Sequence, residues 1–367
     1  MMTSDRLADH LFGGPQVPFW NFNITNLFAG VEVEYFIGNQ TGPTFQLASK
    51  SQYMNVVNRL VAKSSYKNWN LRDQPGRISK DTESGFIIIK PDYAWHILEI
   101  AFPPRKTTES LRPLISEVLG DLDLALHSEG LQRLDISCLP QAPKAMDLVE
   151  LDRISLHEKC VKQKVQGRPT IDPHFPAYIA ATHVHLNASS KDSLRFLPNL
   201  YEFEPLTMKM YSRARRFEGQ DYENVRTDFY SETLGHDYLL QTTPKKIPAS
   251  IEDLRDAMNG SAHLFPNDRF YPVRDMSYIR PTKIGTLEFR SACSFADPEM
   301  ILEIALWRKA QLIAGTSELS AKPVTVEKPN HLADDTLTSR ILTALNWLRE
   351  SGEPLGLLST IEGRISS

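Results

Sequence analysis

The sequence predicts an α+β fold, and three observations carry that expectation. Short β-rich runs alternate with amphipathic helical stretches. Their spacing is too irregular for successive βαβ units. Two of the runs, Phe86–Lys90 and Trp95–Phe102, are separated only by Pro91-Asp92-Tyr93, a hairpin-like connection that suits antiparallel strands.

The elements follow in order. Residues 1–26, with Gly13-Gly14-Pro15 and a polar stretch at Asn21–Asn26, read as an irregular arm ahead of a single domain over 27–367. Phe28–Ile37 is a strand. Ser51–Lys63 places Tyr53, Val56, Val57, Leu60 and Val61 at helical spacing. After the strand pair, Pro103-Pro104 is expected to end the second strand, because neither residue can donate to a ladder. Thr108–Glu129 carries an apolar stripe from Leu111 to Leu126 and ends at Gly130, where a helix cap belongs. Leu134–Leu139 and Tyr178–Asn187 are further strands. Ser190–Arg216 reads as helical with breaks at Pro198 and Pro205, and Arg213, Arg215 and Arg216 as a solvated helix end near its negative dipole pole. Residues 217–273 form a long polar loop insertion with a short helix near Ile251–Met258, a length expected of a lid or binding element. Tyr278–Ala292 reads as one strand. Pro298–Thr316 and Thr336–Glu350 are closing helices.

Composition excludes several classes. The chain has 367 residues, 41% of them hydrophobic, and 45 acids against 41 bases give a net charge of −4. That balance supplies no basic footprint for nucleic acid or an anionic membrane. No run reaches the roughly 18 apolar residues of a membrane span. The start of the chain lacks a basic segment followed by an apolar one, so a cytoplasmic protein without a secretory leader is expected. The three cysteines, Cys138, Cys160 and Cys293, match no zinc or redox spacing and read as buried free thiols. Trp20, Trp69 and Trp95 read as packing residues.

Four strands share an anomaly. Phe28–Ile37 carries Glu32 and Glu34, Trp95–Phe102 carries Glu99, Tyr178–Asn187 carries His183 and His185, and Tyr278–Ala292 carries Glu288 and Arg290. Residues two apart on a strand share a face, so each pair is aimed one way while its apolar neighbours aim the other. A solvated face has no reason to use only Glu, His and Arg. These are the residue types that bind hard cations, polyphosphate oxygens and carboxylates. Two glutamates two residues apart repel unless something positive lies between them, and Mg²⁺ is the economical solution. Of the basic residues near Glu288, either Arg280 or Lys283 could reach nucleotide or a substrate carboxylate.

Taken in order, several motifs resemble those of the carboxylate–amine ligases, the glutamate–cysteine ligase-like and amidoligase enzymes of the glutamine synthetase superfamily. They are Gly30-Val31-Glu32-Val33-Glu34, Asp81-Thr82-Glu83-Ser84, Leu98-Glu99-Ile100-Ala101-Phe102-Pro103-Pro104, Thr182-His183-Val184-His185-Leu186 and Gly285-Thr286-Leu287-Glu288-Phe289-Arg290. The resemblance implies a curved, mainly antiparallel sheet that holds ATP and Mg²⁺ on its concave face and helices on its convex face. It implies Glu32, Glu34, Glu99 and Glu288 as metal ligands, His183 or His185 against nucleotide or metal, and Arg290 on the transferred γ-phosphate. Glu83 would be a further acidic ligand or substrate contact, with Asp81 its rival.

The implied reaction is an amide bond formed between a carboxylate, glutamate or a related acid, and an amine. Because this is uphill in water, ATP first converts the carboxylate into an acyl phosphate. Phosphoryl transfer asks mainly for positioning and charge neutralisation. A guanidino kinase-like phosphotransferase on the same fold and a catalytically silent nucleotide-binding module are the competing readings. The expected partners are small molecules, neither nucleic acid nor membrane, and the superfamily resemblance allows for a homo-oligomer.

Overall fold

Along Ala29–Thr41 (β1) Val31, Val33 and Tyr35 are buried in the main apolar core, and Glu32 and Glu34 between them face the other side of the sheet. In the computed structural model this strand is the hub of the molecule. The structure describes residues 27–41, 44–68, 76–143, 146–149, 174–188, 191–213, 215–222, 224, 228, 247–260, 278–282, 284–316 and 335–366. The arm 1–26, Trp20, Trp69, Cys160, Lys283 and much of 217–273 lie outside them.

The strands that follow are Thr44–Leu47 (β2), Tyr66–Asn68 (β3), Ile78–Thr82 (β4), Gly85–Asp92 (β5), Ala94–Arg105 (β6), Gln132–Leu134 (β7) and Ala181–Leu186 (β8). Arg215–Phe217 (β9) and Gln220–Tyr222 (β10) form a separate hairpin. Ile279–Pro281 (β11) and Leu287–Cys293 (β12) complete the main sheet, whose order is β11-β12-β8-β1-β6-β5-β4-β3, with β2 and β7 also paired to β1. Every ladder among the described residues is antiparallel, and the sheet does not close on itself.

Helices cover the apolar face. Lys50–Val61 (α1) starts at a capping box in which Ser49 Oγ accepts from Gln52 N and the Gln52 side chain accepts from Ser49 N. Arg112–His127 (α2) ends before Gly130, whose φ of +69° fits a glycine cap. Leu197–Tyr201 (α3), Glu204–Tyr211 (α4), Ile251–Gly260 (α5), Pro298–Thr316 (α6), Asp335–Glu350 (α7) and Leu355–Ser366 (α8) follow. Residues of α1, α2, α6, α7 and α8 share one core with Val31, Val33, Leu98, Ile100, Val184, Leu287 and Phe289 of the sheet. None of the described helices is long and apolar enough to cross a membrane. A second, smaller core gathers Phe36, Tyr93, Ile97, Phe175, Tyr178 and Phe217. Phe36 follows Glu34 at the strand period, so this cluster lies on the charged side of the sheet.

Several expectations are corrected. β6 runs through Pro103 and Pro104 to Arg105, because the β1–β6 register shifts between Ala29 and Val31 and such an irregularity spares the prolines a ladder donor. The interruptions expected at Pro198 and Pro205 are present, since α3 and α4 are separate helices. Each proline sits in the first turn of its own helix, where the missing N–H costs nothing. Arg215 and Arg216 belong to the β9 strand rather than a helix end, and Arg213 pairs with Asp135 at 2.8 Å. The run 278–292 is a hairpin, folded back at a turn in which Gly285 adopts φ +82°. Of Leu134–Leu139, only Leu134 lies in a strand, with an isolated bridge at Cys138. Cys138 and Cys293 are buried free thiols, and Trp95 packs edge-on against Tyr53.

Candidate active site

The ladder registers bring the charged residues together. Glu34 is paired directly with Glu99 and Glu32 with His183. His185 lies opposite Glu288, and Glu288 opposite Arg280 on the neighbouring strand. Strands β6, β1, β8, β12 and β11 thus place one charged group after another across the sheet. Because the strands are covered by helices on the opposite face, these side chains have one side of the sheet to occupy. Glu34, Glu99 and Glu288 are 5% exposed or less, far below what solvated glutamates show.

At one end, His185 Nε2 lies 3.4 Å from Glu32 Oε1, and His185 Nδ1 lies 3.0 Å from Thr286 Oγ1, which orients the ring. His183 stands between three acids, with Nδ1 3.6 Å from Glu32 and 3.7 Å from Glu288, and Nε2 3.8 Å from Glu34. Glu288 is flanked by Arg280 Nε at 2.5 Å and Arg290 Nη1 at 3.3 Å. At the other end the backbone N–H of Ala181 donates to Glu34 Oε2 at 2.8 Å, and Lys90 Nζ lies 3.0 Å from Glu99 Oε1.

These contacts sort the acids. Burial alone would push Glu32 and Glu288 up, but it is outweighed. His185 and then His183 hold Glu32 well below the usual carboxylate range, and Arg280 and Arg290 do the same for Glu288. Glu99 goes the other way. Burial raises it well above the ordinary value, Glu32, Asp92 and Glu34 add to the rise, and Lys90 only partly opposes them. For His185, burial disfavours the charged ring, yet Glu32 and Glu288 raise its affinity for a proton.

Two groups have ligand atoms within 4.8 Å of one another, Glu32–His185–Glu288 and Glu34–Asp92–Glu99. Carboxylate oxygens joined by an imidazole, or three carboxylates alone, are donor sets that suit a divalent cation, so the residues fit Mg²⁺ or Mn²⁺.

The structure therefore assembles Glu32, Glu34, Glu99, His183, His185, Arg280, Glu288 and Arg290 on one face. Glu83 is not among them. It stands exposed on the β4–β5 turn, where Thr82 Oγ1 donates to Gly85 O at 2.8 Å, so the Asp81-Thr82-Glu83-Ser84 motif is turn chemistry here. Its rival Asp81 is paired with Lys67. Arg280 reaches Glu288 from the partner strand of a hairpin rather than from farther along the same strand. Lys90, Arg280 and Arg290 are interleaved with the acids. Sequence reasoning missed Asp92 and Lys90. Their spacing of two residues, the same as that of Glu32 and Glu34, was the available signal.

No protein-family model matches the sequence, and no curated protein matches it. The fold is shared with solved structures. A glutamate–cysteine ligase from Francisella tularensis, in complex with AMP, superposes with a TM-score of 0.55 at 13% identity, over 93% of this chain and 81% of that one. A bifunctional glutathione synthetase from Pasteurella multocida gives 0.52 at 13% identity over 94% of this chain, which spans 48% of that protein's length. At these identities the likeness is one of fold.

Proposed function

We propose that this protein is an ATP- and Mg²⁺-dependent carboxylate–amine ligase, joining a small carboxylic acid to an amine through an acyl phosphate. The observation that carries the reading is the convergence of Glu32, Glu34, Glu99, His183, His185, Glu288 and Arg290 on one face of an antiparallel sheet, in a fold similar to that of an AMP-bound glutamate–cysteine ligase.

The roles follow from the placement. Glu32, His185 and Glu288 would hold one cation and Glu34, Asp92 and Glu99 another. A bound divalent cation supplies charge neutralisation for phosphate oxygens. Arg290, buried, and Arg280, partly buried, lie beside Glu288 and present guanidinium donors on the same face, which suits them to the equatorial oxygens of a phosphoryl group in transfer. Thr286 fixes the His185 ring, and the Ala181 N–H fixes the Glu34 carboxylate, so neither group must reorganise when charge develops. When the amine attacks the acyl phosphate, phosphate leaves and the amine loses a proton, which a carboxylate of the Glu34–Asp92–Glu99 group would take.

The test is a screen for ADP release from ATP and Mg²⁺ across amino acids and simple amines, with mass detection of products. The reading expects ADP, phosphate and an amide, formed only when acid and amine are both present. A phosphorylated product that accumulates with no amine requirement would instead assign a phosphotransferase.

A further inference from the structure

Glu99 already has a cation. Lys90 Nζ lies 3.0 Å from its Oε1, and the two residues are direct ladder partners on β5 and β6. Glu99 also lies within ligand distance of Glu34 and Asp92, and both it and Glu34 are buried. Three carboxylates gathered in a poorly solvated place repel one another, and one ammonium offsets only about a single charge. A divalent ion offsets twice as much and binds several oxygens at once. The ammonium and the ion therefore seek the same oxygens. Lysine suits such an exchange because its charge is compact and sits on a flexible four-carbon stem, only whose root is fixed by the β5 backbone. An arginine fork would be harder to dislodge.

We propose that Lys90 is a tethered counter-ion, which holds Glu99 while the Glu34–Asp92–Glu99 end carries no divalent cation and is displaced from it when one binds. The inference rests on the metal-dependent reading of the site given above. Its consequence is that cation affinity at this end is set by the competition with Lys90 as well as by the three acids. A folded protein without metal then avoids leaving three like charges together, two of them buried, which is otherwise costly.

The experiment uses the full chain and Mn²⁺ alone, without nucleotide, with free Mn²⁺ read by electron paramagnetic resonance. Lys90→Met should tighten Mn²⁺ binding at least about tenfold, the scale of removing one neighbouring charge from a partly shielded site. Lys90→Arg, which keeps the charge, should not tighten it. Mn²⁺ binding by the wild type that is unchanged or weaker in Lys90→Met overturns the role of Lys90 and leaves the cation site standing. Absence of Mn²⁺ binding by the wild type overturns both.

Should Lys90→Met fail to fold, the wild type supplies the second measurement. Its lysines are reductively methylated with ¹³C-formaldehyde, and the Lys90 signal is identified by its absence in Lys90→Arg. That signal should shift as Mg²⁺ is added to saturation. A Lys90 signal that stays in place while Mg²⁺ displaces bound Mn²⁺ overturns the proposal.

Discussion

Arg308 Nη2 donates to Ser291 Oγ at 2.7 Å, a bond that crosses from helix α6 into strand β12 at the residue next to Arg290. The same guanidinium reaches Glu204 Oε1 at 2.6 Å and Thr207 Oγ1 at 3.0 Å, and Ser291 Oγ in turn donates to Glu204. Arg308 is fully buried, its guanidinium lying over the Phe289 ring. The β8–β12 register shifts between Phe289 and Ala292, so this network grips the strand where its ladder is irregular and where Arg290 turns toward the site.

Removing one partner of a buried ion pair leaves the other uncompensated. Arg308→Met should therefore cost about 3–5 kcal/mol of stability. Urea unfolding of the wild type, Arg308→Met, Glu204→Gln and the double variant checks this. The double variant should lose clearly less than the sum of the single losses, because both substitutions break the same contacts. Additive losses would show that the pair is not coupled.

Glu288→Gln keeps the side-chain shape and removes the charge that lies between Arg280, Arg290 and the two histidines. Turnover of ATP should fall at least about a hundredfold, as expected when a group that organises transition-state charge is lost. Circular dichroism should show the native fold. Turnover within a few-fold of wild type would remove Glu288 from the site.

Arg290→Ala separates binding from chemistry. If its guanidinium acts on the phosphoryl group in transfer, the rate of ADP formation should fall by about two to three orders of magnitude. Nucleotide affinity, measured with a fluorescent ADP analogue, should change far less. An equal loss in both would mean that Arg290 contributes uniform binding.

How much of this was legible depended on whether one strand carried the signal. Glu32 and Glu34 could be read because alternation puts them on one face without knowledge of any partner, and the same holds for His183 with His185. Lys90 and Asp92 were obscured because their place beside the acids comes from the ladder, which sets Lys90 against Glu99. The hairpin at 278–292 was missed for a related reason. Pro281 and Gly285 were present as turn residues, but the continuous β-rich run outweighed them, and with the turn went the pairing of Arg280 with Glu288. Glu83 shows the converse case. An acid in a motif-like position proved to sit on a turn that Thr82 and Gly85 build for local reasons. The charges of α6 escaped notice because Glu303, Arg308 and Lys309 look like ordinary surface residues until their partners Arg364, Glu204 and Glu353 are brought to them by separate elements.

The buried His96 gives the fold a pH dependence separate from the site. Its ring stacks on Phe36, and its Nε2 donates to the Ala177 carbonyl at 2.9 Å. Burial holds its pKa below the ordinary 6.5, against smaller opposing effects from that hydrogen bond and from Asp147. The unfolded chain therefore binds a proton here more readily than the folded one. The contribution of His96 to stability is complete above about pH 6.5 and is lost as the pH falls from there toward the lower folded value. His96→Gln removes the titrating ring, so the variant should lose less stability than the wild type between pH 7.5 and pH 5.5, even if it starts from a lower value. Urea midpoints at the two pH values measure the difference, and parallel declines would show that His96 does not contribute to the acid sensitivity of the fold.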